Sequence, residues 1–234
     1  MVKIVAHRGA SGLVEHENTL ESFEKAIEIG ADMVEFDVRE TKDGVLVVTH
    51  DKNFADAPVS WQTYEAMEEI AQTKGFHIPR FSEVLEICHD RIFMDIEVKE
   101  HGFEKKLLKT LDKYVTTDEY TVKSFNDKVP YTIKKHRPDI TVGLLIGQTN
   151  GNLKRKINEL FPVRRLKKCK ADFVSPYYGL LHVGFIKRLK KAGYPILVWT
   201  VNDEKIMKKL LKSDIDGLIS DRPDIAIELS KKIK

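Results

Sequence analysis

The 234-residue chain has two cysteines, Cys88 and Cys169, far apart in the sequence. Two such residues build neither a disulfide framework nor a thiolate metal site, and they fit a reducing compartment. No apolar run approaches the roughly 18 residues that a bilayer crossing needs. The opening MVKIVAHRG enters a strand pattern at once, without the charged-then-apolar leader of a signal peptide. The expectation is a cytoplasmic protein with no stable membrane anchor. Neither GxGxxG nor a P-loop pattern occurs, so the phosphate-binding turns of nucleotide-binding folds are missing. Excess charge is missing too. The 39 basic and 36 acidic residues leave a net +3, too even a mixture for a dedicated nucleic-acid binder. The local basic run VRRLKKCK (163–170) reads as a solvated helix face rather than a phosphate-backbone patch. No low-complexity linker divides the chain, and 1–234 reads as a single domain.

What is present is alternation. Short β-branched runs recur at 3–7, 33–38, 91–98, 120–125, 141–146, 172–177, 195–201 and 216–220. Helical patterns lie between them, including one over 152–161, with apolar residues three and four apart: Leu20, Phe23 and Ile27 in the first, Ile206, Leu210 and Leu211 in a late one. Strand then helix, repeated eight times with near-continuously apolar strands, predicts a parallel sheet covered by helices. In a chain of this length that is a (β/α)₈ TIM barrel. An open doubly wound sheet is the alternative, but it usually has fewer strands and calls for a nucleotide signature. One piece breaks the repeat. TKDG turns the chain after the second strand, VLVVTH adds an extra strand, and residues 54–80 form an excursion, partly helical around WQTYEAMEEIA.

Such barrels place their chemistry at the C-terminal ends of the strands, and the polar residues of this chain gather there. His7 and Arg8 end the first strand, Glu35 and Asp37 lie on the second, His50 ends the added strand, and Glu97 and Lys99 end the third. Residues two apart on a strand share a face, so Glu35 and Asp37 point one way, as do Glu97 and Lys99. Three carboxylates crowded into a half-buried mouth would repel each other and take up protons unless a cation stood among them. A hard divalent ion, Mg²⁺ or Ca²⁺, resolves that conflict. The bland alternative has Glu35 and Asp37 facing outward against lysines. The two histidines suit general acid–base work, with transition-metal ligation as the other option. Arg8 and Lys99 add positive charge suited to phosphate oxygens. Together these groups describe a site for a phosphate ester. The remaining histidines, at 16, 77, 89, 101, 136 and 182, read as structural.

The ordered set AHRGASG, HENTLESF, GADMVEFDV, TKDG and THD resembles the N-terminal signature of the glycerophosphodiester phosphodiesterase family. IPRFSEVL, IEVK, VKSFN, VWTVN and DGLISDRP resemble its later segments, so the likeness runs nearly end to end. The resemblance implies a (β/α)₈ barrel that cleaves glycerophosphodiesters, a small-molecule substrate, to sn-glycerol 3-phosphate and an alcohol with one divalent cation. Position by position it implies His7 and His50 as the acid–base pair. Glu35, Asp37 and Glu97 would hold the metal, and Arg8 and Lys99 the phosphate. It implies that a glycerol hydroxyl can attack internally to give a cyclic phosphate, with His7 as first base and His50 as first acid. Glu17 is expected to orient the HRG loop. Phe125 and Trp199 either line the pocket against the glycerol or headgroup, or pack in the core. The family pattern has Pro where this chain has His16, and the segment after HD is shortened here. Asp95 shares a face with Glu97 but lies deeper, and a buried hydrogen bond is expected of it. A phospholipase D-like or phosphatidylinositol lyase-like enzyme is the alternative activity, and a non-catalytic binding barrel is the rival of another class.

Overall fold

The computed structural model describes residues 1–147 and 158–233. Strands β1 (Lys3–Ala6) and β2 (Met33–Glu40) are followed by three short ones, β3 (Leu46–Val48), β4 (Asn53–Phe54) and β5 (Ala57–Pro58). The chain continues through β6 (Phe93–Val98), β7 (Tyr120–Ser124), β8 (Val142–Ile146), β9 (Phe173–Pro176), β10 (Leu197–Val198) and β11 (Gly217–Ser220). Parallel pairing runs β10-β11-β1-β2-β6-β7-β8-β9. Single parallel bridges from Val174 to Ile196 and from Tyr177 to Trp199 join the two ends of that row. The result is a nearly closed barrel of eight parallel strands, as the alternation predicts. Helices α1 (Leu20–Glu28), α2 (Tyr64–Thr73), α3 (Phe81–Cys88), α4 (Glu104–Tyr114), α5 (Lys128–His136), α6 (Val163–Cys169), α7 (Phe185–Lys191), α8 (Glu204–Leu211) and α9 (Pro223–Lys232) account for the connections.

Alternation along each strand sorts side chains between two cores. Even-numbered residues such as Val34, Phe36, Met94 and Ile96 face outward and pack with helix residues Phe23, Leu85 and Leu107. Odd-numbered ones point into the barrel. Its lower half is apolar, filled by Val5, Met33, Phe173, Leu197 and Ile219. Gly143 makes room there, since a Cβ at that position would lie 2.2 Å from the Phe173 ring. One layer up, the odd positions turn ionic: Glu35, Asp95, Glu97 and Lys123 are all buried. A charged layer on an apolar plug is a site, not a core, because burial of those groups has to be offset by partners.

Two elements differ from the sequence expectation. The strand expected over 195–201 shrinks to Leu197–Val198, since Pro195 brings no N–H and β9 meets it only through isolated bridges. The excursion contains α2 as expected, but also an antiparallel β4–β5 hairpin with Asn53 opposite Pro58. The first part of the helix expected over 152–161 lies outside the described residues. The basic run 163–170 contains α6, whose Leu166 and Cys169 are buried. Both cysteines are free and buried. Among the described residues no helix is long and apolar enough to cross a membrane.

Candidate active site

His7 leaves β1 with its backbone N–H on Ser220 O at 2.9 Å. The chain then turns through Arg8 and Gly9, at φ 52° and 79°. A side chain at Gly9 would put Cβ 2.2 Å from Ser22 Oγ, so only glycine allows this tight pass over α1. Ser22 and Thr19 form a reciprocal capping box at the start of α1. The Ser22 hydroxyl also donates to Arg8 O at 3.0 Å, tying the HRG turn to the helix. The His7 ring is oriented by Asp221, whose carboxylate lies 2.6 Å from Nδ1. Burial works to raise the Asp221 pKa, but hydrogen bonds from His7, Asn202 and Ser11 outweigh it and hold the group down at about 2. An ionised acceptor makes Nδ1 the donor toward Asp221, so Nε2 is the nitrogen turned to the site. That nitrogen faces inward, 3.9 Å from Glu35 Oε2.

His50 reaches the same cavity by another route. β3 pairs antiparallel with the end of β2, Val48 opposite Val38. The extra strand therefore carries the chain back over the barrel mouth. Arg39, on β2, clamps the His50 carbonyl with Nε and Nη2 at 3.0 and 2.7 Å. Asp51 sits 2.8 Å from His50 Nδ1. Burial, with the charge of Lys99 behind it, lowers the His50 pKa below the ordinary imidazole value. His7, His50, Arg8, Glu35, Glu97, Lys99, Lys123, Phe125 and Trp199 line one cavity of about 60 Å³.

The carboxylates meet because of register. Glu35 pairs with Asp95, and Asp37 with Glu97, across β2 and β6. Glu35, Asp37 and Glu97 bring oxygens within 4.8 Å of one another. Lys99 bridges two of them, 2.7 Å from Glu97 and 3.1 Å from Asp37. Burial, aided by the charges of Asp37 and Glu35, raises the Glu97 pKa to about 7 despite that lysine. Burial acts on Asp37 in the same sense. There Lys99, Arg8 and His50, with a hydrogen bond from Asn18, win and hold it far below the carboxylate range. A ring of hard oxygen donors, one of them left short of positive charge and already drawing in an ammonium, fits a divalent cation. Another trio, His89, Asp90 and Glu119, also converges. Its Glu119 already accepts from His89 and from the backbone of Asp90 and Thr116.

Residues 7–225 match the model of the glycerophosphoryl diester phosphodiesterase family. The chain belongs to that family. A glycerophosphodiester phosphodiesterase of Caldanaerobacter subterraneus is 31% identical over 98% of both chains. The crystal structure of a glycerophosphodiester phosphodiesterase from Thermotoga maritima is 30% identical, with a TM-score of 0.80 over 98% of each chain. A phosphodiesterase of Oleispira antarctica, solved in complex with sn-glycerol-3-phosphate, shares the fold at a TM-score of 0.83 and 23% identity, over 98% of this chain and 96% of its own. The present chain is thus an enzyme of the glycerophosphodiester phosphodiesterase family.

Within this family member, Glu17 lies on Arg8, which donates to it from Nη1 at 2.7 Å. The Arg8 Nε is buried and lies 3.4 Å from Asp37 Oδ2, an ion-pair distance without hydrogen-bond alignment. That leaves a donor directed at the site. Phe125 and Trp199 meet edge to face at 5.5 Å over the cavity, and Trp199 Nε1 also donates to Ser175 O at 2.8 Å. Asp95 accepts from Thr121 at 3.1 Å and from Lys123 at 2.6 Å. The hydrogen bond expected of it is joined by a buried ion pair. Lys123 also stands 3.5 Å from Glu35. Burial works against its charge, but Asp95 and Glu35 outweigh burial and keep the ammonium protonated. Burial, with the charge of Glu35 beside it, pushes the Asp95 pKa up, and the Lys123 ammonium works against that rise. Sequence reasoning missed Lys123 and Asn18, whose Nδ2 donates to Asp37 at 2.9 Å. It assigned no role to Asp221 or Asn202, which meet at 2.5 Å behind His7.

Proposed function

We propose that the chain hydrolyses glycerophosphodiesters to sn-glycerol 3-phosphate and an alcohol. One divalent cation, Mg²⁺ or Ca²⁺, would sit on Glu35, Asp37 and Glu97, and His7 and His50 would move the protons. The observation that supports this reading most is that two aspartate-bound imidazoles share one cavity with that carboxylate ring, Arg8 and Lys99. The bound cation would offset negative charge on the phosphoryl oxygens.

In the proposed reaction His7 Nε2 takes the proton of a glycerol hydroxyl as its oxygen bonds to phosphorus. The bond from phosphorus to the headgroup oxygen breaks, and His50 gives that oxygen a proton. Water then opens the cyclic phosphate: His50 takes the water proton, and His7 returns its proton to the glycerol oxygen. Arg8 and Lys99 hold the non-bridging oxygens, and Phe125 and Trp199 cover the glycerol. Asp221 keeps the His7 lone pair aimed inward, and Arg39 fixes the loop that carries His50. Residues 1–234 work as one catalytic domain in this reading, and its two buried free thiols suit a cytoplasmic setting.

The test is release of glycerol 3-phosphate from glycerophosphocholine and glycerophosphoethanolamine, with Mg²⁺ or Ca²⁺ and again after EDTA. Metal-dependent release is expected. Folded protein that releases none with metal present would overturn the proposal.

A further inference from the structure

The near-even charge of the whole chain divides into two opposed halves. Residues 1–117 carry 14 basic and 23 acidic side chains, and residues 118–234 carry 25 and 13. Strands β7 to β11 of the second half are consecutive around the barrel, so the positive excess lies on one flank. It is dense on α5, α6 and α7, whose starts are tied together. Arg165 of α6 donates to Asp127 at the start of α5 at 2.6 Å, and Arg188 of α7 stacks 4.5 Å from the centre of the Phe161 ring, just before α6. The carboxylates of this flank are taken: Asp127 by Arg165, Asp172 by Lys134 and Asp216 by Lys190. Among the described residues, Lys128, Arg164, Lys167, Lys168, Lys187 and Lys191 are exposed and meet no carboxylate. The helix dipole favours cations in a last turn but disfavours them in a first. Helices α1 to α4 follow that rule, with Glu21, Glu65, Glu83 and Glu104 in their first turns. Helices α5, α6 and α7 have no acid there and start with Lys128, Arg164 and Lys187 instead. The same flank carries Tyr131, Phe161 and Val183, three of the five large apolar side chains that stay exposed among the described residues.

We propose that α5, α6 and α7 dock the enzyme reversibly on an anionic lipid bilayer. Their basic side chains would meet the lipid phosphates, and Phe161 and Val183 would enter the headgroup boundary. Basic residues set among exposed apolar ones suit such an interface, whereas duplex DNA would use the charges and leave the apolar tips in water. The acidic half, turned away from a negative surface, would orient the protein on it. Docking here brings the active site near the lipid. Arg165 donates to Phe125 O at 3.0 Å, and Phe125 lines the catalytic cavity. The Phe161 ring lies 6.3 Å from that of His182, beside Val183. The choice of lipid as the partner rests on the glycerophosphodiesterase reading of the site. A glycerophosphodiester is a glycerophospholipid without its acyl chains, so the reaction that supplies it is a deacylation at the bilayer surface.

The experiment is co-sedimentation of the intact protein with vesicles of about one-third phosphatidylglycerol in phosphatidylcholine, and with pure phosphatidylcholine, at about 0.1 M and about 1 M salt. Binding is expected to the anionic vesicles alone, and high salt should weaken it. Lys167→Gln with Lys168→Gln should weaken it about 30-fold, at about five-fold for each basic residue near such a surface. Lys105→Gln with Lys109→Gln, equally exposed on α4, should change it less than about two-fold. Release of glycerol 3-phosphate from glycerophosphocholine should match the wild type in both variants. Equal binding to both kinds of vesicle, or losses as large from the α4 pair as from the α6 pair, would overturn the docking surface and leave the activity standing. Tighter binding to duplex DNA than to anionic vesicles of equal phosphate concentration would overturn lipid as the partner. Folded protein that docks but releases no glycerol 3-phosphate would overturn the activity and leave the surface standing.

Discussion

Lys123→Met removes the ammonium from the floor of the site and keeps the length of the side chain. Lys123 and Asp95 are both buried, 2.6 Å apart. Removing one partner of a buried pair costs about 3–5 kcal/mol. Protonation sets a ceiling, because the stranded Asp95 can take up a proton instead of remaining charged. At pH 7, protonating a carboxyl whose unfolded pKa is about 3.9 costs about 4 kcal/mol, at about 1.4 kcal/mol per pH unit. The variant should therefore lose about 3–4 kcal/mol at pH 7. The sign of its pH dependence follows. Asp95 in the variant has a folded pKa above its unfolded value, so its protonated form supports folding at low pH and that support is lost as pH rises. At pH 5 the deficit should shrink by about 2–3 kcal/mol. Urea unfolding at both pH values reads this directly. Adding Asp95→Asn to the variant should restore most of the loss at pH 7, since no buried charge is then left unpaired. An unchanged unfolding midpoint at pH 7, or a deficit as large at pH 5 as at pH 7, refutes the reasoning.

Glu35→Gln should abolish most metal-dependent turnover while leaving the melting temperature within a few degrees; normal turnover would remove Glu35 from the metal site. Asp221→Asn should lower kcat/KM by about 10²–10⁴-fold, because His7 loses the acceptor that fixes its tautomer. Wild-type rates in that variant would show that His7 needs no such partner. Asp221 is held at about 2, below its unfolded value. It therefore adds stability above about pH 4 that is lost as pH falls toward 2; acid unfolding of Asp221→Asn should be flatter over that window. Asn18→Ala deprives buried Asp37 of a donor and should weaken Mg²⁺ binding, measured by calorimetry, by about 1–3 kcal/mol; unchanged affinity would make Asn18 a loop residue only.

The barrel was legible because its signal is repeated. MVEFDV and RIFMDIEV each alternate an outward apolar residue with an inward one, and the same period recurs around the ring. Glu35, Asp37, Glu97 and Lys99 were legible for the same reason, since spacing along one strand settles which side chains share a face. What escaped depended on partners distant in sequence. Asp221 meets His7 across 214 positions, and its contact comes from β11 closing onto β1. Lys123, within YTVKSF, reads as an ordinary strand lysine until the β6–β7 register sets Thr121 beside Asp95 and Lys123 beside Glu97. Asn18 sits at φ 56°, and a left-handed asparagine is a tertiary fact, not a pattern. The β4–β5 hairpin is two residues per strand, too short for alternation to register.

The most direct test of the central claim, that His7 and His50 divide the proton transfers, uses glycerol phosphodiesters with two leaving groups. Choline leaves as an alkoxide that needs a proton, whereas p-nitrophenol leaves as a stable anion that does not. Initial phenolate release from His50→Ala should stay within about ten-fold of wild type, while its turnover of glycerophosphocholine falls by about 10²–10⁴-fold. His7→Ala should lose that much on both substrates. Equal losses on both substrates in both variants would contradict the assignment of His50 as the acid that releases the headgroup.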